Sequence, residues 1–157
     1  MVESAIVRGV PSTTAASCVG VFADHSSVLA GSAITKVPHV LDVVRSDLVR
    51  LGWRVSSGSG KPAGLEIGWT ARRPVLADAF HDGGVVLWIE LGRSWTNFGF
   101  LEHTIEAGFV PLVTDVVLAV RHRWDARSTY DKCLDFLLDL EESSVVLPYR
   151  SLTLVGF

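Results

Sequence analysis

"PVLADAFHDGGVVLWIEL", residues 74–91, decides how the chain folds. Two extended apolar runs flank His81-Asp82-Gly83-Gly84, and Asp-Gly followed by Gly between such runs predicts a β-hairpin. Side chains alternate along a strand, so Glu90 shares a face with Trp88. A tight turn brings Asp78, twelve residues earlier, toward Glu90 on that face. A charge inside an apolar strand is costly unless something compensates it. Two accounts follow. In one, Asp78 caps a turn and Glu90 pairs with Arg72, Arg73 or Arg93. In the other, carboxylates from adjacent strands hold a hard divalent cation, since Mg²⁺ takes one or two carboxylates plus waters and phosphate oxygens. Such an ion activates water and offsets charge on a phosphodiester under attack.

Outward from the hairpin, "VPHVLDVVRSDLVRLGW" places Val40, Leu41, Val44, Leu48 and Leu51 at helical spacing, with Pro38 early and Gly52 as a stop. "WRVSS" and "LEIGWTA" read as strands, separated by the turn-forming "GSGKPAG". Downstream, "TNFGFLEHTIEAG" predicts a helix with Phe98, Leu101 and Ile105 as its apolar stripe, Thr96 or Asn97 as N-cap and Gly108 as stop. "DVVLAVRHRW" is a strand with a basic exit, "STYDKCLDFLLDLEES" an amphipathic helix capped by Ser128 or Thr129, and "SLTLVGF" a closing strand. A hairpin continued by strand–helix–strand crossovers is an α/β fold, a mixed sheet with helices on its faces. Residues 1–35 are rich in Ser, Thr, Ala, Val and Gly with weak periodicity. They read as an N-terminal extension with one short strand or helix, ahead of a domain over 36–157.

At 157 residues the chain fits one domain, with 48% apolar and 20% charged residues. A net charge of −3 excludes a polycation, so nucleic-acid binding needs a local basic face or a metal. That face is sought in "RHRWDAR", where Arg121, Arg123 and Arg127 gather at a strand end and are candidates to track a phosphate backbone; a solvated loop is the equal alternative. Two distant thiols, Cys18 and Cys133, suggest a reducing, cytoplasmic setting. No apolar run is long enough to span a membrane, and no signal peptide is visible. "GSGKPAG" lacks P-loop spacing, no G-x-G-x-x-G follows a strand, and there is no G-x-S-x-G elbow. Trp69, Trp88, Trp95 and Trp124 read as core before base-stacking groups, His81 and His103 as surface side chains before proton carriers near the site, and Glu66 as a charge at a strand edge before a further acidic group of the site.

The Asp-bearing and Glu-bearing strands of one hairpin, with a helix before them and a helix and strand after, resemble the PD-(D/E)XK nuclease superfamily. "LWIELGRSW", "VVLAVRHRW" and "LPYRSLTLVGF" resemble its restriction-endonuclease-like bacterial proteins of the Bgl II-like type over about residues 36–157. The resemblance implies a restriction-endonuclease-like αβββαβ core, with Asp78 and Glu90 as ligands of Mg²⁺ or Mn²⁺. It further implies a metal-dependent DNA endonuclease of prokaryotic restriction or defence, working as a homodimer or with a partner subunit. The family's catalytic lysine falls on Gly92 here. Arg93, next in line, faces the opposite side unless the strand bends at Gly92, and is then assigned phosphate-charge stabilisation, because arginine stays protonated. The missing lysine motivates an alternative, a catalytically degenerate subunit of the same fold acting in nucleic-acid binding or assembly. A third possibility is an α/β interaction domain in which Glu90 and Arg93 form an ion pair.

Overall fold

The hairpin forms, but its first arm is broken in two. In the computed structural model, which describes residues 2–31, 33–57, 64–92, 98–124, 127–143 and 145–157, β4 (Pro74–Ala77) and β5 (Ala79–His81) are separated at Asp78. β5 pairs antiparallel with β6 (Val85–Glu90) in the register His81↔Val85 and Ala79↔Leu87. Gly84, at φ +83°, closes the turn by donating its N–H to His81 O at 2.9 Å. A Cβ at Gly84 would lie 2.6 Å from Leu112 O, so only glycine fits this corner.

β4 turns away to pair with β3 (Leu65–Trp69) as a separate two-stranded ribbon, instead of extending the hairpin arm as the alternation suggested. The cause is a β-bulge. Asp78 N–H donates to Leu87 O at 3.1 Å although the register partner of Leu87 is Ala79, so two residues of one strand oppose one of the other.

The remaining elements are β1 (Glu3–Arg8), α1 (Thr13–Asp24), α2 (Ser26–Leu29), α3 (Val37–Arg50), β2 (Trp53–Val55), α4 (Gly99–Glu106), a 3₁₀ turn (Ala107–Phe109), β7 (Asp115–Val120), β8 (Arg123–Trp124), β9 (Arg127–Ser128), α5 (Thr129–Glu142) and β10 (Ser151–Gly156). Among the described residues the main sheet has six strands in the order β1-β10-β7-β6-β5-β2. β6, β7 and β10 run parallel, and the other neighbouring pairs antiparallel. The fold is therefore α/β with a mixed sheet between helices. With the β3–β4 ribbon inserted between β2 and β5, the elements of the main sheet from α3 onward follow as a helix, three antiparallel strands (β2, β5, β6), a crossover helix (α4) and a parallel strand (β7). The N-terminal stretch contributes the edge strand β1, antiparallel to β10, and α1, whose Ala15, Cys18 and Phe22 are fully buried.

Alternation along β6 divides the interior. Val86 and Trp88 face α4 and α5, where they meet Phe100, Cys133 and Leu137. Val85, Leu87 and Ile89 face α1–α3 and pack with Phe22, Leu41, Val44 and Leu48. β7 is buried along its whole length, which is why it reads as an unbroken apolar run. Of the expected caps, Ser128 forms, its Oγ accepting from Asp131 N at 3.1 Å, whereas α4 starts later than expected, with Phe98 at φ +54° as its N-cap and no side-chain cap bond; Ser12, not foreseen, caps α1 by accepting from Ala15 N at 3.2 Å. No helix among the described residues is long and apolar enough to cross a membrane.

The one ionised residue in β7 is Asp115, whose side chain is 0% exposed. It accepts from Ser12 N (3.3 Å), Thr114 Oγ1 (2.9 Å), Arg150 Nη2 (2.5 Å) and the Ser151 hydroxyl. Burial pushes its carboxyl up, but the bonds from Ser151, Arg150, Thr114 and Ser12 outweigh that and hold it below the ordinary range. A depressed acid stabilises the fold above its unfolded pKa, and that stabilisation is lost as pH falls through the folded value. Asp115→Ala is expected to destabilise by about 2 kcal/mol at neutral pH, because the buried Ser151 hydroxyl is left without an acceptor and Arg150, Thr114 and Ser12 lose theirs. Arg50→Ala, which opens an exposed, solvent-screened ion pair with Asp47, should cost far less. Urea midpoints measure both, and equal effects would deny Asp115 its role.

Candidate functional site

Glu90 ends β6 on the Trp88 face, with its side chain 18% exposed. The carboxylate is cradled by α4. His103 Nε2 lies 2.9 Å from Glu90 Oε1, so an imidazole N–H donates to the carboxylate. The His103 ring stacks flat on Trp88, with centroids 5.0 Å apart and planes within 8°. Trp88 is itself held, because its Nε1–H donates to Leu76 O at 2.6 Å. At the first residue of α4, a Cβ on Gly99 would come within 2.8 Å of Glu90 Oε1. Glycine therefore lets the carboxylate rest on the first helical turn, where the helix end favours negative charge.

The other ring nitrogen of His103 is buried and 3.5 Å from Glu106 Oε2, a charge contact too long and poorly aligned for a hydrogen bond. Glu106, only 9% exposed, takes Arg73 Nη2 on its Oε1 at 2.8 Å, and Arg73 also bonds Glu102. A line of charges thus runs from Glu90 through His103 and Glu106 to Arg73 at the surface.

Asp78 arrives from the bulge. With β4 departing, Ile89 N–H has no strand partner on that side, and Asp78 Oδ2 replaces it at 2.7 Å. Burial raises the Asp78 carboxyl to about 6. The bond from Ile89 N–H and the charge of His103 oppose that shift, while the charge of Glu90 adds to it. His103 is pushed down by burial, but its bond to Glu90 and the charges of Glu90, Asp78 and Glu106 outweigh this and leave it above its ordinary value. Beneath the site, burial and the Glu90 charge raise the Cys133 thiol to about 12, which removes it as a thiolate nucleophile.

The sequence-predicted residues divide. Asp78 and Glu90 stand at the same edge of the sheet and feel each other's charge. Gly92 has φ +70°, a backbone that a lysine would adopt only under strain. Arg93 lies outside the described residues, as do Lys61, Trp95, Thr96 and Asn97. Arg121 N–H donates to Glu90 O at 3.0 Å, but its guanidinium reaches Ile34 O on the sheet's opposite face. Arg123 is exposed at the end of the neighbouring strand and helps line a cavity of about 400 Å³ with Glu3, His122 and Phe157. The side chain of Arg127, in β9, is not among those described. Glu66 is exposed and accepts from Trp69 Nε1 at 2.7 Å, away from Glu90.

His103 is the residue that pattern reading missed. The stripe Phe98, Leu101, Ile105 is not the buried face of α4: Phe98 is 47% and Ile105 51% exposed. Phe100, Thr104 and Ala107 point inward with Glu106 and His103. The signal was present in Gly99, Glu102, His103 and Glu106, which recur at one-face helical spacing opposite the apolar stripe.

No protein-family model matches the chain, and no curated protein matches it. The chemistry of the donor set therefore has to be weighed by itself. Among the described residues no group of three or more His, Cys, Asp or Glu side chains is placed to hold a metal ion. Asp78 and Glu90 are hard oxygen donors, each with one carboxylate oxygen outside the bonds described above. They suit an ion completed by water or substrate oxygens, and do not suit a full protein cage.

Two raised groups give the site a defined pH signature. A raised acid and a raised histidine both stabilise when protonated, so their contributions are lost as pH rises through their folded values, near 6 for Asp78. Asp78→Asn should therefore be more stable than wild type at pH 8, by about 1–3 kcal/mol, with the gain shrinking toward pH 4. Urea titrations at the two pH values measure it; an Asn variant less stable at both would mean that the carboxylate is structural.

Proposed function

We propose that the chain is a metal-dependent phosphodiesterase of the PD-(D/E)XK type that acts on DNA. The observation that carries the proposal is that Asp78, just before β5, and Glu90, at the end of β6, stand at the same end of the antiparallel β5–β6 pair, near enough for the charge of one to raise the carboxyl of the other. Asp78 and Glu90 would hold Mg²⁺ or Mn²⁺, which supplies an activated water and offsets charge on the phosphate. The rest falls to the chain's own groups. His103 Nε2–H fixes Glu90 Oε1, so that the other carboxylate oxygen would be the one offered to the ion. Ile89 N–H fixes Asp78 Oδ2 in the same way. Trp88 and Gly99 set the ring and the carboxylate in place. Arg93 is the candidate for phosphate-charge stabilisation, and Arg123, exposed beside Glu3 and His122, is a candidate phosphate contact away from the two carboxylates.

One observation favours the second account, a binding or assembly subunit on the same frame. Gly92 takes a left-handed backbone where the family places its lysine, so the strand geometry no longer suits that side chain.

Plasmid and single-stranded DNA, incubated with Mg²⁺ or Mn²⁺, separate the two. Cleavage should be abolished in Asp78→Ala and Glu90→Ala, and should fall roughly 10–100-fold in His103→Ala, which removes an outer support of a ligand. Cleavage that survives both carboxylate substitutions would reject the site. A wild-type protein that neither cuts nor binds Mn²⁺ by calorimetry would leave the binding-subunit account.

A further inference from the structure

The chain that leaves the main sheet at Asp78 builds the β3–β4 ribbon, and its two faces differ. The inner face packs on the core: Leu65 and Ile67 are partly buried, Val75 and Ala77 are buried, and a Cβ on Gly68 would meet Val110 at 2.8 Å. The outer face carries Trp69, 59% exposed. That indole is open to solvent yet tethered, because Nε1–H donates to Glu66 Oε1 on the same strand.

The tip beside it is fixed. Thr70 N–H and Oγ1 both donate to Arg73 O, at 2.8 and 3.1 Å, while Thr70 Oγ1 accepts from Arg72 N and Arg73 N at 3.2 and 3.0 Å. Arg73 then clamps the tip to α4 through Glu102 and Glu106. Arg72 is exposed, and its guanidinium has no ion-pair partner among the described residues. Between tip and helix runs a groove of about 380 Å³, with Thr70 and Arg73 on one wall and Phe98, Ile105 and Phe109 on the other. Phe98 and Phe109 are about half exposed, at 47% and 54%.

A tethered open indole, an uncommitted guanidinium and an aromatic-lined groove match a chain of flat bases on a charged backbone. We infer that the ribbon tip is a platform for single-stranded nucleic acid: a base stacks on Trp69, Arg72 meets the adjoining phosphate, and a following base enters the groove against α4. A duplex keeps its bases stacked on one another and has no free base face for the indole. The inference rests on the phosphodiesterase proposal and deepens it by naming the form of the substrate. β4 spans the four residues between tip and Asp78, about 13 Å, so a strand held at the tip passes close to the carboxylates.

Fluorescence anisotropy of a labelled ten-nucleotide oligo(dT), its oligo(U) counterpart and a duplex of equal length tests the platform, in EDTA so that nothing is cut. The wild type is expected to bind the single strands more tightly than the duplex. Trp69→Ala should weaken binding roughly tenfold, with most of the affinity retained in Trp69→Phe. Arg72→Ala should weaken it and lower the salt slope by about 0.7. Both positions are exposed, so neither variant disturbs the core. Equal binding by wild type, Trp69→Ala and Arg72→Ala, or no binding by wild type, overturns the platform. If Trp69→Ala still cuts plasmid at the wild-type rate and binds strands normally, the platform falls and the phosphodiesterase proposal stands. If binding depends on Trp69 but nothing is ever cut, the platform stands and that proposal falls.

Discussion

A buried carboxylate holds this fold in register. Asp115 opens β7, the strand with parallel neighbours on both sides, and its donors come from separate parts of the chain: the cap of α1, Thr114 beside it, and Arg150 with Ser151 at the start of β10. Parallel strands have no tight turn between them to set their alignment. Here the hydrogen bonds of Asp115 align Ser151 with Asp115, and Gly84 O, which accepts from both Thr114 N and Asp115 N, aligns Val85 with Asp115. Strand alternation propagates that alignment to the other end of the sheet, where Glu90 stands opposite Val120. A one-residue slip would turn Glu90 to the opposite face, away from His103. The ionised group at one end therefore decides where the acidic group at the other end points.

The polar inward face of α4 is the clearest departure from packing economy. A helix of this composition would ordinarily bury its phenylalanine, leucine and isoleucine stripe and leave His and Glu in water. This one leaves Phe98 and Ile105 half exposed and turns His103, Thr104 and Glu106 toward the sheet. Trp88 and Gly99 contribute to the reason. The indole offers a flat surface on which an imidazole stacks, and glycine lets the helix start against Glu90. The buried charges are then compensated in sequence, Glu90 by His103, His103 by Glu106, Glu106 by Arg73, so that no member is stranded in low dielectric.

Much of the architecture was legible in the sequence because it follows from local periodicity. The helix over Val37–Arg50, the turn at Asp82-Gly83-Gly84, the buried run of β7 and the cap at Ser128 are all set by nearest neighbours along the chain. A turn and a period of two also placed Asp78 toward Glu90, although in the structure Asp78 comes there through the bulge and not by simple alternation. What was not legible depends on contacts between distant segments. The phase of α4 is decided by Trp88, about fifteen residues earlier, and not by its own apolar stripe. The placement of β1 beside β10 joins opposite ends of the chain, and weak periodicity in residues 1–35 gave no hint of it. The break at Asp78 was hidden because its two halves, "PVLA" and "AFH", continue a single alternating pattern.

That break is where fold and chemistry meet. A continuous strand from Pro74 to His81 would pair its whole length with β6 and give Ile89 N–H a backbone carbonyl. The bulge sends β4 away, and the vacated donor is taken by a carboxylate that burial, helped by the charge of Glu90, raises to about 6. The same departure frees the ribbon to carry Trp69 outward and Arg73 across to α4. One extra residue in one strand thus creates the acidic corner and the projecting tip beside it. A mutation that repaired the pairing would remove both, even with every side chain of the site unchanged.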